Sequence, residues 1–164
     1  MVVIIFGVAG SGKTTIGELL ASDLGWCFYD ADDFHSQSNR EKMRRGVALT
    51  DQDRQPWLAR LRELIERCLA ANENAVLACS ALKRKYRDPL RVNAQVNFVF
   101  LHGDFALIAE RLKQRPGHFF DPALLQSQYA DLEGPQPDEG VATIEVNHQP
   151  HELVAEIKAR LRLP

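Results

Sequence analysis

The sequence has few cysteines, little net charge and no long apolar run, and each shortage excludes a class of protein. Three cysteines are spread over 164 residues without a CxxC pair, so we expect reduced thiols rather than a disulfide framework. A formal net charge of −2 gives no general attraction to nucleic acid or to a membrane surface. No apolar stretch approaches the length of a membrane span. The sequence therefore predicts neither nucleic acid nor a membrane as a partner.

The composition is that of one ordinary globular domain. Hydrophobic residues make up 45% of the chain and charged residues 26%, which is typical of a protein with a full-sized core. We therefore expect residues 1–164 to form a single domain. Because the first apolar run begins at Val2, we expect no signal peptide and a cytoplasmic location.

A glycine-rich loop near the start of the sequence is the strongest functional signal. The run from Gly7 to Thr14 fits the P-loop pattern G-x-x-x-x-G-K-[ST], and it lies between an apolar β-branched run and a helical pattern. In such a loop backbone N–H groups surround a phosphate, the lysine reaches the β- and γ-phosphates and serves catalysis, and the hydroxyl binds Mg²⁺. The sequence therefore predicts ATP and Mg²⁺ as cofactors, with nucleotide contacts from Gly7, Val8, Ala9, Gly10, Ser11, Gly12, Lys13, Thr14 and Thr15.

Strand-like and helix-like segments alternate along the chain, which predicts an α/β fold. Five apolar runs are typical of buried strands, at residues 2–6, 26–29, 75–79, 97–101 and 143–146. Helical periodicity separates them, and we expect Pro56 to open one of the helices. Strands that alternate with helices form a parallel sheet with right-handed crossovers. We therefore expect three layers, with helices on both faces of a five-stranded parallel sheet.

Two irregular segments interrupt this alternation, at about residues 30–54 and 115–137. In open α/β sheets, ligands bind outside the carboxyl ends of the strands. Each segment follows such an end or the helix behind it. We therefore interpret the first as the substrate segment and the second as a helical lid.

Two aspartates follow the second predicted strand, at the sheet edge that also carries the P-loop. Residues i and i+2 that leave a strand point the same way, so Asp30 and Asp32 should face one pocket. Phosphoryl transfer needs a group that orients or deprotonates the acceptor hydroxyl. Our hypothesis is that Asp32 accepts that proton, while Asp30 supports Mg²⁺ through water and Thr14 binds it directly. The alternative is a solvated acidic turn.

Two arginines precede or begin the predicted lid. Arg111 and Arg115 are spaced i, i+4 and share one helical face. Because guanidinium groups match phosphate oxygens, we expect both to lie over the nucleotide, with Arg115 as a catalytic residue. The alternative for each is a solvated charged face. His118 could belong to the same lid or be structural.

A cationic run follows the third predicted strand. It contains Ser80 and four cations, at Lys83, Arg84, Lys85 and Arg87. Cations are electrostatically disfavoured at a helix start, so their presence at a strand's carboxyl end suits an anionic acceptor. Arg54 and Arg87 are further candidates for binding a carboxylate. The residues alone do not decide which cation does so.

Several sequence blocks resemble the gluconokinase family, of the thermoresistant bacterial type. The most specific are D-x-D-R-x-P-W-L at residues 51–58 and C-S-A-L-K-R-x-Y-R-D at residues 79–88. Residues 30–35 and the R-P-G-H-F-F run at 115–120 also match, so the resemblance covers essentially the whole chain. It implies an ATP-dependent kinase that phosphorylates the 6-hydroxyl of D-gluconate. It also implies the shikimate-kinase-like fold with strand order 2-3-1-4-5, a closing lid and a homodimer.

The polar residues of the chain fit such an acceptor, a linear polyol with one carboxylate. A site for it needs cations and hydrogen-bonding groups, for which the candidates are Asp32, His35, Asn39, Arg54, Ser80, Lys83 and Arg87. Pro116 departs from the family pattern and could stiffen the lid loop.

Two other functions remain open at this point. One is another kinase of the same fold, acting on shikimate, adenylylsulfate or a nucleoside monophosphate. Phe34 is the only Phe, Tyr or Trp between Asp30 and Asp53, which gives little for stacking a base. The other is a module that binds ATP without transferring phosphate, which would need neither Asp32 nor a second anion site.

Overall fold

The computed structural model describes residues 1–114 and 122–164, and its centre is a parallel sheet of five strands. The strands are β1 (Val2–Phe6), β2 (Cys27–Asp30), β3 (Ala75–Cys79), β4 (Val96–His102) and β5 (Ala142–Glu145). Their order across the sheet is β2-β3-β1-β4-β5, and every pairing is parallel. The predicted α/β fold and the strand order implied by the resemblance are confirmed.

Helices cover both faces of the sheet. They are α1 (Lys13–Leu24), α2 (Gln37–Arg44), α3 (Asp51–Ala70), α4 (Arg84–Arg87), α5 (Phe105–Lys113), α6 (Pro122–Asp131) and α7 (Pro150–Leu161). Successive side chains of β1 point to opposite faces of the sheet. Ile4 and Phe6 pack in a core cluster with α3, whereas Val3 and Ile5 pack in a cluster with α1, α5 and α7. Fully buried β-branched strands of this kind are typical of parallel sheets.

The long helix α3 begins earlier than the sequence predicted. Its first residue is Asp51, because Thr50 accepts a hydrogen bond from the Asp53 N–H and the Asp53 side chain accepts one from the Thr50 N–H. This capping box supplies the start signal. Pro56 therefore does not open the helix but lies inside it, where it removes one backbone donor.

The two segments predicted as irregular contain regular structure. In the first, a 3-10 turn (Ala31–Phe34) follows β2 directly and leads into α2. In the second, α6 takes up Pro122–Asp131, and residues 115–121 lie outside the described residues. The lid interpretation of that segment stays a prediction. No helix among the described residues is both long enough and apolar enough to cross a membrane.

Candidate active site

A cleft of about 990 Å³ lies at the carboxyl edge of the sheet, where the P-loop and the turn after β2 meet. It brings together most of the residues that the sequence singled out. The predicted residues that line it are Ala9, Gly10, Gly12, Lys13, Thr14, Thr15, Asp30, Asp32, His35, Arg54, Ser80 and Arg111. Gly7, Val8 and Ser11 belong to the same loop but are not among the residues that line the cleft, and Ser11 is buried. The parallel sheet thus gathers groups from distant parts of the chain at one edge.

The P-loop depends on glycine at two positions where the backbone is left-handed. Gly10 has a φ of 80°, and a Cβ atom there would lie 2.7 Å from Cγ of Leu112 on α5. Gly12 has a φ of 97° and caps the start of α1. An L residue with a side chain rarely adopts such φ values. The Lys13 ammonium folds back and donates to the Val8 carbonyl at 3.0 Å, which places it across the mouth of the loop.

Thr14 and Asp30 meet at the head of the cleft. The Thr14 hydroxyl donates to Oδ2 of Asp30 at 3.0 Å, joining the start of α1 to the end of β2. A hydroxyl and a carboxylate are hard oxygen donors of the kind that Mg²⁺ prefers. The two side chains therefore fit the predicted metal-binding role, although that role itself stays a prediction.

Asp32 is held in the 3-10 turn by two hydrogen bonds of the backbone. Its N–H donates to Oδ1 of Asp30 at 3.0 Å, and the indole of Trp57 donates to the Ala31 carbonyl at 2.7 Å. The side chain is open to the cleft, whose walls displace part of its bulk water. This desolvation raises the pKa of the Asp32 carboxyl, the Asp30 carboxylate raises it further, and Lys13 opposes the rise. The result is a better proton acceptor than an ordinary aspartate.

His35 lies beside Asp32 as a buried, neutral imidazole. Its ring stacks on Trp57 with centroids 4.5 Å apart, and Nε2 lies 3.9 Å from Oδ1 of Asp32. Burial lowers the pKa of His35 to about 4, and the positive charges of Arg54 and Arg40 add to the effect. Nδ1 is buried without a hydrogen-bond partner among the described residues. An unpaired buried nitrogen at a cleft wall favours a ligand contact.

The predicted cations divide into two groups. Arg54 and Arg111 line the cleft, where Arg54 donates to the Leu49 carbonyl and Arg111 to the Val146 carbonyl. Lys83 does not line it. Its ammonium pairs with Asp131 at 2.9 Å, and this hydrogen bond raises the pKa of the lysine.

Arg87 occupies a position that argues against the predicted contact with a substrate. Its side chain is fully buried and forms two hydrogen bonds with Glu139, at 2.7 and 2.9 Å. It also donates to the carbonyls of Ala81 and Leu82 and stacks over Phe6. The sequence showed a cation after β3 but not the carboxylate, 52 residues later, that would neutralise it.

Of three further expectations, one can be compared with the structure and two fall on residues that it does not describe. Asn39 was a candidate for a substrate contact, but its amide donates to the Asp53 carbonyl at 2.8 Å and so ties α2 to α3. Arg115, expected to be catalytic, lies outside the described residues, as does His118.

The sequence missed cleft residues that carry little pattern of their own. Trp57 matches a family block but gave no hint that its indole holds the turn of Asp32. Gln128 on α6 was not singled out, yet its Oε1 accepts from the Ala9 N–H at 2.7 Å. Exposed apolar side chains also line the cleft, at Met43, Val47 and Leu124. For Gln128 the signal available was its place in the predicted lid segment.

Comparison with known proteins places this geometry in a family. A family model described as shikimate kinase matches residues 9–161. The probable gluconokinase of Mus musculus is 45% identical over 98% of this chain and 97% of its own length. The thermoresistant gluconokinase of Escherichia coli (strain K12) is 42% identical over 83% of this chain and 78% of its own. The crystal structure of a gluconokinase from Sinorhizobium meliloti 1021 superposes with a TM-score of 0.87, at 43% identity over 98% of this chain and 90% of the other.

The buried ion pair predicts a stability defect in Arg87→Met. This change removes the guanidinium paired with the buried Glu139 carboxylate and leaves Arg91, 3.6 Å away, as its remaining counter-charge, and we expect a loss of about 3–5 kcal/mol in the free energy of unfolding, measured by urea denaturation. Lys85→Met is the control, because Lys85 pairs with Asp51 at the exposed surface and should lose at most about 1 kcal/mol. If Arg87→Met does not fold, Arg87→Lys should still lose more than the control. Equal losses would contradict the structural role.

The buried imidazole predicts a specific loss of stability in acid. The pKa of His35 is about 4 when folded and near the ordinary 6.5 when unfolded, so the unfolded chain takes up its proton first as the pH falls. This contribution is complete above pH 6.5 and is lost as the pH falls toward 4. The melting temperature of the parent should therefore fall more steeply across this range than that of His35→Asn. His151→Asn, at an exposed position, should follow the parent, and parallel curves for all three would contradict the expectation.

Proposed function

The chain belongs to the gluconokinases, within the P-loop family described as shikimate kinase, and on that basis we propose that it transfers the terminal phosphoryl group of ATP to the 6-hydroxyl of D-gluconate. The enzyme is a phosphotransferase that uses an alcohol as acceptor. The observation that carries the proposal is that one cleft is lined both by the P-loop and by Asp32, whose pKa is raised. A protein that only sensed ATP would not need a proton acceptor there.

The proposed reaction assigns one task to each side of the cleft. The backbone N–H groups of the P-loop and the Lys13 ammonium hold the phosphates and neutralise their charge. The acceptor hydroxyl lies against Asp32, which takes its proton as the new oxygen–phosphorus bond forms and the bond to ADP breaks. The raised pKa of Asp32 favours this transfer, because the carboxylate is a stronger base than usual.

The proposed Mg²⁺ would be held by the Thr14 hydroxyl and, through water, by the Asp30 carboxylate. The ion supplies neutralisation of the charge on the phosphate oxygens. In the described ranges 1–114 and 122–164, no group of three or more His, Cys, Asp and Glu side chains could hold a metal by itself. The proposed site therefore also uses oxygens of the nucleotide.

Acceptor recognition is proposed to rest on Arg54, His35 and Ser80. Of the three cations proposed for the carboxylate, Arg54 lines the cleft, whereas Lys83 and Arg87 do not line it and are held in ion pairs with Asp131 and Glu139. The Arg54 guanidinium can bind a carboxylate through two parallel hydrogen bonds. The neutral His35 ring and the Ser80 hydroxyl suit the hydroxyls of a polyol, since each can donate or accept.

The proposal also covers the lid, the state of assembly and the location of the protein. We propose that Arg111, which lines the cleft, and Arg115 both neutralise phosphate charge, within a lid at about residues 115–137. A single domain over residues 1–164, a homodimer, a cytoplasmic location and the lack of nucleic-acid or membrane partners are proposed from composition and family resemblance. Sedimentation analysis of the purified chain tests the homodimer directly.

A coupled assay of ADP release tests the acceptor. We expect D-gluconate to stimulate turnover, and shikimate, adenylylsulfate and nucleoside monophosphates to leave it at background. D-glucitol, which carries a hydroxymethyl group in place of the carboxylate, should be used far more weakly. Arg54→Met should reduce that preference for gluconate by about tenfold or more, since a charge-assisted pair is lost. Phosphorus NMR of the product checks the 6-position, and stimulation by shikimate, adenylylsulfate or a nucleoside monophosphate would overturn the proposal.

The role of Asp32 predicts a specific kinetic defect and pH profile. Asp32→Asn should lower kcat by about 10²–10⁴-fold and leave ATP binding nearly unchanged. In the parent, kcat/KM should fall in acid, with an apparent pKa above the ordinary aspartate value because the folded pKa is raised. Asp33→Asn should move this limb to lower pH with a normal plateau, because the Asp33 charge contributes to the rise. Near-normal turnover by Asp32→Asn would contradict the assignment.

A further inference from the structure

One donor of the phosphate loop is bonded to a side chain from outside the loop. The Ala9 N–H, which lines the cleft beside Gly10 and Lys13, donates to Oε1 of Gln128 at 2.7 Å. The two residues are 119 positions apart in the sequence. Because Ala9 can only donate, chemistry fixes the carboxamide orientation, with its oxygen toward the loop. The Nε2 group of Gln128 can then donate two hydrogen bonds.

The helix that carries Gln128 is tied to the sheet edge on both sides. The Tyr129 hydroxyl donates to the Gly103 carbonyl after β4, at 2.7 Å. On the other side Asp131 pairs with Lys83 after β3, at 2.9 Å. The Glu133 N–H just beyond the helix donates to the Leu82 carbonyl, also at 2.9 Å. These contacts fix the backbone around Gln128, so the position of its side chain above the loop does not depend on the Ala9 hydrogen bond alone.

A phosphate and Gln128 compete for the same hydrogen. A backbone N–H offers one hydrogen, and a P-loop holds phosphate by turning such hydrogens toward it. With the Ala9 N–H bonded to Gln128, a phosphate can use this donor only when the carboxamide oxygen leaves it. Rotation of the terminal carboxamide about one bond would bring Nε2 to the position of Oε1.

We propose that Gln128 exchanges roles when phosphate binds. The phosphate takes over the Ala9 N–H, and the carboxamide turns to donate Nε2–H to a phosphate oxygen. The exchange replaces one neutral hydrogen bond with two that have a charged acceptor, and charge-assisted bonds are roughly twice as strong. Gln128 is thus a nucleotide-binding residue contributed by α6. The inference rests on the proposed function only for the identity of the ligand as a nucleotide.

The exchange is tested by binding and by NMR on the full chain. The probe is a non-hydrolysable ATP analogue with Mg²⁺, titrated by calorimetry. The side-chain NH₂ signals of Gln128, assigned by their disappearance in Gln128→Met, should shift when the analogue saturates the protein. The Ala9 amide signal should shift with them. Signals of Gln126, an exposed glutamine on the same helix, should stay in place.

Two substitutions separate the accepting role from the donating one. Gln128→Glu keeps an acceptor for Ala9 but cannot donate and adds a negative charge, so the dissociation constant of the analogue should rise at least about tenfold. Gln128→Met removes both roles and should raise it by a smaller factor. Gln126→Glu and Gln126→Met are the matched controls and should bind like the parent, with unchanged melting temperatures showing that α6 is intact.

The outcomes that overturn the exchange are distinct. If Gln128→Met binds the analogue more tightly than the parent, Gln128 only blocks the donor. If both Gln128 variants bind like the parent, or the Gln128 signals do not move at saturation, the side chain is merely structural. A failure of the gluconate assay would leave these measurements untouched, because they use the nucleotide alone.

Discussion

Parallel pairing around β1 is the constraint on which the rest of the molecule depends. Because β1 lies between β3 and β4 and runs in the same direction, the loops that leave these strands all emerge at one edge. β2 joins the same edge through β3. The phosphate loop, the Asp32 turn and the loop that contains Ser80 are neighbours for this reason alone. Crossovers on both faces bury the strands, so the polar groups gather where the sheet ends.

The charges near this edge serve two different purposes. Some hold the scaffold, because Arg87 pairs with Glu139 in the interior and Lys42 pairs with Asp53 between α2 and α3. The others line the cleft, where the charge of Lys13 lowers the pKa of Asp32. A buried charge needs a partner in the protein, whereas a group in a cleft can take its partner from a ligand. This difference, rather than charge density, separates the cations paired within the scaffold from those that line the cleft.

The sequence could predict the fold and half of the site. The reason is how far apart in the chain the residues of each feature lie. The P-loop and the aspartates after β2 are local patterns, and the structure joins them as the hydrogen bond from Thr14 to Asp30. Arg87 and Gln128 depend on partners 52 and 119 residues away, which no local pattern encodes. The start of α3 is also encoded locally, because the capping box of Thr50 and Asp53 lies just before Pro56.

The Arg87–Glu139 pair also has a consequence for how this chain can change over evolutionary time. Neither residue can be replaced alone without leaving a charge in the interior, so a substitution at one position favours compensation at the other. Among homologues the two positions should vary together or stay fixed, as contacting residues do. Neighbouring Lys85, whose partner is at the surface, is free to drift. Within the short basic run after β3, positions that stay constrained and positions that vary freely should therefore lie side by side.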